Sequence, residues 1–171
     1  MDKTEALAAG VPGDILDALE AAGIEPVVHL HPPVHTVEEA AEHWKGIAGA
    51  HTKNLFFKDA GGKLWLVTAL SERRLDLKRL PQLMGSKRLS FGSADLLQST
   101  LGVQPGSVSP LAAMRDGEGK VSVVLDAALM KGDTVNMHPI VNVATIGMAP
   151  AQLTAFLRKH GHEPQIVDLD G

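Results

Sequence analysis

His51-Thr52-Lys53-Asn54-Leu55-Phe56-Phe57-Lys58-Asp59-Ala60-Gly61-Gly62-Lys63-Leu64-Trp65-Leu66-Val67-Thr68-Ala69-Leu70 is the stretch that decides the fold. Two apolar runs rich in aromatic and branched residues flank Asp59-Ala60-Gly61-Gly62. That pattern predicts a hairpin with strands over Lys53–Lys58 and Lys63–Leu70. One residue does not suit its place. Lys53 opens an apolar strand, although removing an ammonium group from water is costly.

Working outward, Ile15 to Ala22 has helical apolar spacing and Gly23 as its stop. Glu25 to Leu30 reads as a strand ended by Pro32-Pro33. Thr36 with Glu39 forms a capping box for a helix through about Trp44. Leu75 to Met84 is helical and broken by Pro81, Lys87 to Phe91 is a short strand, and Ser93 caps a helix from Ala94 to Leu101 that stops at Gly102. Val121–Leu125, Thr134–Met137, Ile140–Thr145 and Gln165–Leu169 read as further strands, with an amphipathic helix over Pro150–His160. Hairpins interspersed with helices predict a mixed α/β domain, not a regularly alternating one. No repeat, low-complexity tract or linker divides the chain, so residues 1–171 are expected to form a single domain.

Composition narrows the chemistry. The absence of cysteine excludes disulfides, thiolate catalysis and cysteine-based zinc sites. The start of the chain, Met1-Asp2-Lys3-Thr4, does not look like a secretory leader, and no apolar run approaches the ~20 residues that span a bilayer. A soluble, cytoplasmic protein without membrane contact is expected. The net charge of −4 argues against a general polyanion binder. The charge is uneven, however. Glu72 to Arg88 holds Arg73, Arg74, Lys78, Arg79, Lys87 and Arg88 against Glu72 and Asp76, a net +4 that leaves −8 for the rest. Such a segment suits one limb of a nucleic acid, and it also suits a plain solvated helix face. With four Phe, two Trp and no Tyr, an extended platform for stacking single-stranded bases is not expected.

Three further motifs carry chemistry. In Gly106-Ser107-Val108-Ser109-Pro110, Gly106 frees the backbone and Pro110 fixes the exit, so the intervening N–H groups can converge on an anion or a carbonyl oxygen. The same spacing is common in ordinary loops. His138, in Met137-His138-Pro139-Ile140, is either structural or a polar group of a site. His29, His31 and His35 have spacing open to a metal, but Pro32-Pro33 interrupts them and no acidic ligands accompany them. Lys53 either snorkels from a strand end or offers its charge to a phosphate or sugar hydroxyl. The phosphate-binding, dinucleotide-binding and nucleophile-elbow motifs are all missing from the sequence.

Thr52-Lys53-Asn54-Leu55-Phe56, Gly106–Pro110 followed by Leu111, Met137-His138-Pro139 and His31-Pro32-Pro33-Val34-His35-Thr36-Val37 together resemble the YbaK/prolyl-tRNA-synthetase-associated editing-domain family. Within it the resemblance is to the free-standing Ala-tRNA(Pro) deacylases, and it runs from about Pro12 to Leu169. It implies a curved, partly barrel-like mixed β-sheet surrounded by helices. It also implies hydrolysis of mischarged aminoacyl-tRNA without any cofactor, with tRNA as partner and prolyl-tRNA synthetase as a second. Lys53, His138 and Gly106 would be catalytic. Asn54, Val34, Val37, Ser107, Val108, Ser109 and Pro110 would bind the aminoacyl end, and Arg73, Arg74, Lys78 and Arg79 the tRNA. His35 departs from the more apolar residue common in that family. Two rival expectations are the same chemistry on a cysteinyl or seryl group, and a non-catalytic tRNA- or synthetase-binding module.

Overall fold

The computed structural model describes residues 3–33, 39, 42 and 46–169. Its centre is the expected hairpin, with β2 over Ala50–Asp59 and β3 over Leu64–Leu70. They pair antiparallel from Thr52↔Leu70 to Lys58↔Leu64. Asp59 builds the turn. Its side chain accepts from Gly61 N–H (2.9 Å), Lys63 N–H (3.0 Å) and Trp65 Nε1 (3.1 Å), and Gly62 takes the left-handed φ of +86°. Burial by itself raises the Asp59 pKa, but these donors outweigh it and hold the carboxyl below its ordinary value.

Around the hairpin run α1 (Lys3–Ala9), α2 (Gly13–Ala21), β1 (Val27–Leu30), α3 (Leu80–Met84), β4 (Leu89–Phe91), α4 (Ala94–Leu101), β5 (Val121–Asp126), β6 (Val135–Met137), β7 (Ala144–Met148), α5 (Pro150–Lys159) and β8 (Gln165–Val167). The sheet order is β1-β7-β6-β2-β3-β5-β8, with β4 also on β2. β2–β6, β3–β5 and β5–β8 are parallel and the other pairs antiparallel. The result is a curved mixed sheet that does not close, flanked by helices, as the resemblance implied. Among the described residues no helix is long and apolar enough to cross a membrane.

β3 is buried along nearly its whole length because both its faces are covered, which is why it reads as an almost unbroken apolar run. On one face Phe56, Leu66, Val123 and Leu125 pack with Leu101 of α4 and Leu153, Phe156 and Leu157 of α5. On the other, Phe57, Trp65, Val67 and Val124 pack with Leu80 and Met84 of α3 and with Leu169. Each large side chain buried this way contributes about 1.5–3 kcal/mol. Caps agree with the local sequence. Ser93 Oγ accepts from Leu96 N–H (3.1 Å), and Gly102 closes α4 in the left-handed region.

Several expectations need correction. Only Leu80–Met84 of the 75–84 segment is helical; Pro81 suits its first turn, and residues 77–79 form a separate turn on Asp76, whose Oδ1 accepts from Lys78 N–H (2.9 Å). The strand expected over 140–145 begins at Ala144; Ile140 stands at φ +70° and the chain turns through 141–143. The last strand ends at Val167. Helix α1 and the 3-10 turns at Pro105–Ser107, Pro110–Arg115 and Ala127–Lys131 have no counterpart in the sequence reading. Of the helix expected from Thr36 to Trp44, Glu39 and Glu42 are helical and the rest lies outside the described residues.

Candidate functional site

One edge of β2 is divided between two partners. Its ladder to β6 stops at His51↔Asn136, and its ladder to β4 starts at Phe57↔Phe91. Between them, among the described residues, Lys53 to Leu55 have no strand beside them on that edge. Ala50 N–H bonds Thr134 O (3.0 Å) and Phe56 O accepts from Gly92 N–H (2.9 Å). Backbone groups of alternate residues point to the same edge, so those of Asn54 point into the opening. Gly92 is required at its rim. A Cβ there would lie 2.4 Å from the Phe56 ring.

His138 follows β6 directly. Extending the parallel register from Ala50↔Val135 and His51↔Asn136 sets His138 level with Lys53. Val135 and Met137 belong to the main core, so the same alternation continued by one residue would turn His138 to the opposite face, that of Lys53. That extension sets the expected pair at one level, and among the described residues no hydrogen bond joins the two. His138 is held by its Nδ1, which donates to Ala144 O at 3.3 Å. A carbonyl can only accept, so the proton is on Nδ1 and Nε2 is the acceptor. Burial above all, and then the neighbouring His31, push its pKa below the ordinary histidine value, which keeps the ring neutral at pH 7. His31 is fixed in turn, with Nδ1 on Pro32 O (3.0 Å) and Nε2 on the Thr145 hydroxyl (2.9 Å). The start of the 31–37 loop therefore lies beside His138. Val34, His35 and Val37 are outside the described residues. Among the described residues no group of three or more potential metal ligands assembles.

Lys53 Nζ donates to Arg73 O. Burial first, and the Arg73 charge second, lower its pKa from the lysine norm. Arg73 turns inward. Its Nε reaches Asp126 Oδ2 at 2.5 Å, with the carboxylate fully buried, and Asp126 also accepts from Ala128 N–H (3.2 Å). Arg73, expected on the tRNA, thus turns its guanidinium to a buried carboxylate while its carbonyl accepts from Lys53. Arg74, Lys78 and Arg79 are exposed. Arg74 and Arg79 border a groove with Asp76, Leu80, Leu83 and Leu169.

Asn54 points the other way, to the face that carries Phe56. Its Oδ1 accepts from the hydroxyl of buried Thr68, its cross-strand partner, at 2.6 Å. That hydroxyl has no other acceptor among the described residues, and a buried O–H left without one is costly. The pairing therefore fixes the amide, with the NH2 turned away from Thr68. Thr68 was missed in the sequence, where it is one polar residue in an apolar strand. That oddity was the available signal.

The Gly106–Pro110 segment packs on the Asn54 face. Val108 and Leu111 join the main core, and Ser107, Ser109 and Pro110 are buried. Ser107 N–H is bonded to Gln104 O (2.9 Å), and Ser109 Oγ accepts from Leu111 N–H (3.2 Å). With its side chains inside, the turn has backbone to offer a ligand. No described hydrogen bond joins it to Lys53, Asn54 or His138, so the structure does not link it to that pair directly.

A family model for the aminoacyl-tRNA editing domain matches residues 31–156. The chain is 41% identical to prolyl-tRNA synthetase associated domain-containing protein 1 of Xenopus laevis, over 92% of this chain and 96% of that protein. It is 35% identical to the prolyl-tRNA editing protein ProX of Acetoanaerobium sticklandii, over 81% and 85%. The crystal structure of a candidate trans-editing enzyme for prolyl-tRNA synthetase superposes with a TM-score of 0.69 at 23% identity, covering 90% of this chain and 93% of that one. At that identity the likeness establishes the fold.

Proposed function

This chain belongs to the aminoacyl-tRNA editing domain family, and from that premise we propose that it is a trans-editing deacylase of mischarged tRNA whose substrate is Ala-tRNA(Pro). The observation that supports the reading is the parallel register of β2 with β6, whose continuation past His51↔Asn136 would set Lys53 level with His138, a ring whose pKa burial lowers. In the reaction, water adds to the ester carbonyl carbon and the bond to the ribose oxygen breaks. That oxygen leaves with the proton the water gives up. The products are alanine and a tRNA with a free terminal hydroxyl. Lys53 offers a cation to the terminal phosphate or ribose. His138 Nε2 accepts from the ribose 2′-hydroxyl and orients it. The Asn54 N–H, directed into the opening, donates to the carbonyl oxygen as charge builds there. The Gly106–Pro110 turn supports the ester through its backbone. No step requires a cofactor.

The selectivity rests on size. A synthetase site shaped for proline discriminates against a smaller side chain by only ~1–3 kcal/mol. A second pocket that admits a methyl group and excludes a pyrrolidine ring by clash corrects the error. We assign its walls to Val34 and Val37. Arg74, Lys78 and Arg79 serve the acceptor stem, and prolyl-tRNA synthetase is the natural neighbour of such an activity, in the cytoplasm where tRNA is charged. The 1–171 chain acts as one editing domain.

The test is incubation with a panel of mischarged tRNAs. Ala-tRNA(Pro) is expected to be hydrolysed much faster than Pro-tRNA(Pro), and Val37→Ala to relax that preference. Rapid cleavage of Ser-tRNA or Cys-tRNA with Ala-tRNA(Pro) spared would keep the deacylase and overturn the alanine assignment. Binding of tRNA with no turnover of any ester would make the protein a binding module.

A further inference from the structure

Phe91 is a large aromatic residue that the fold leaves 61% exposed. It sits on β4, at the far rim of the opening from His138. One face of its ring stacks on the fully buried Phe57, with centroids 5.0 Å apart and planes 29° apart. A ring backed on one side and open on the other is half of a stacked sandwich, and a planar group completes it. Phe57, Leu55 and Lys53 alternate onto one face of β2. Phe91 pairs directly with Phe57, so it shares that face. Four residues of strand separate Lys53 from Phe57, about 13 Å. The exposed cations Lys87 and Arg88 immediately precede β4, and Arg74 lies on the segment whose carbonyl holds Lys53.

We propose that Phe91 is a stacking platform for a base of the single-stranded 3′ end of the substrate tRNA. The occupant follows from the surroundings. An apolar peptide would gain nothing from the Lys53 ammonium further along the same face, whereas a nucleotide presents both a π-face and a phosphate. The span from Phe91 to Lys53 lets a terminal strand stack one base on the ring while its aminoacyl ester reaches the Lys53–His138 pair. Scarcity of aromatic residues is no obstacle, because one base needs one ring. The inference rests on the deacylase reading for its substrate and adds a residue that binds RNA without touching the ester.

The experiment uses the full chain and a tRNA(Pro) carrying 2-aminopurine in place of each base of its unpaired 3′ end in turn, together with kinetics on Ala-tRNA(Pro). Stacking should quench the fluorescence of one labelled position on binding. Phe91→Leu should abolish the quench and raise KM about tenfold with kcat nearly unchanged. Phe91→Tyr, which keeps the ring, should behave as wild type in both. A structural role alone would lower the melting temperature of Phe91→Leu without removing the quench selectively. Wild-type quenching and KM in Phe91→Leu would overturn the proposal. So would a wild-type complex in which no labelled position is quenched, a result that needs no variant to fold. Quenching that depends on Phe91, with no ester hydrolysed, would support the platform and sink the deacylase reading instead.

Discussion

The two faces of β2 at its unpaired edge are built on opposite plans. On one, Lys53 and His138 are polar groups held by backbone carbonyls, Arg73 O and Ala144 O. On the other, Asn54 is held by a buried side chain, the Thr68 hydroxyl. The difference lies in what each group keeps available. Lys53 and His138 each use one position on a carbonyl and keep others for a ligand, the further N–H bonds of the ammonium and Nε2 of the ring. Asn54 commits one lone pair of its Oδ1 to Thr68 and keeps the NH2 donors free of that bond. Adjacent residues of β2 thus offer a cation on one face and a fixed amide donor on the other, and His138, after β6, offers a neutral acceptor.

Changes to the supports should break this contrast most. Asp126→Ala removes the buried carboxylate of the Arg73 ion pair, which should cost about 3 kcal/mol, a fall in melting temperature on the order of 10 °C for a chain of this size. It should also lower activity, since the Arg73 carbonyl that anchors Lys53 is set loose. An unchanged melting temperature would show that the pair carries no structural weight. Lys53→Ala should reduce kcat/KM at least tenfold, or ~1.4 kcal/mol, while the fold survives because the residue is only half-buried. Near-normal turnover would remove Lys53 from the site.

On the second face Thr68→Val should cost roughly fivefold in kcat, about 1 kcal/mol for a lost hydrogen bond, and Thr68→Ser should restore it. If Thr68→Ser falls with Thr68→Val, the methyl group and not the hydroxyl matters. Smaller still is the salt effect. Arg74→Ala with Arg79→Ala should flatten the dependence of log affinity for tRNA on log salt by about 1.5; an unaltered slope leaves these residues as a solvated face. Last is pH. His138 acts neutral and its pKa is lowered, so the neutral form persists below 6.5. The deprotonated limb of kcat/KM should hold flat from pH 7 down through 6.5 and fall only below it. A midpoint above 7 would assign that limb to another group. Stability carries the same sign for this residue: unfolded chain takes up the proton first, so this contribution is lost as pH falls below 6.5.

Much of this was legible in the sequence, and the exceptions follow one rule. The β2–β3 hairpin, α4 and α5 are set by local patterns: apolar runs around an Asp-Ala-Gly-Gly turn, a serine cap, a glycine stop. Neighbours along the chain decide these, so the chain alone determines them. The strand expected from Ile140 failed because the residues that pack against Ile140 come from the main core, and their hold keeps a branched residue at a φ that local preference disfavours. Arg73 was misassigned for a related reason. Charge composition placed it on a solvated face, while its partner Asp126 lies 53 positions away. Sequence by itself determined the hairpin, the caps, the basic segment and the residue types of the site. Only tertiary structure decided where the ladders of β2 to β6 and to β4 end, that Asn54 meets Thr68 on the face away from Lys53, and which cation turns inward. Strand registry and burial depend on contacts between distant residues, and one chain read in order carries no record of which distant residues meet.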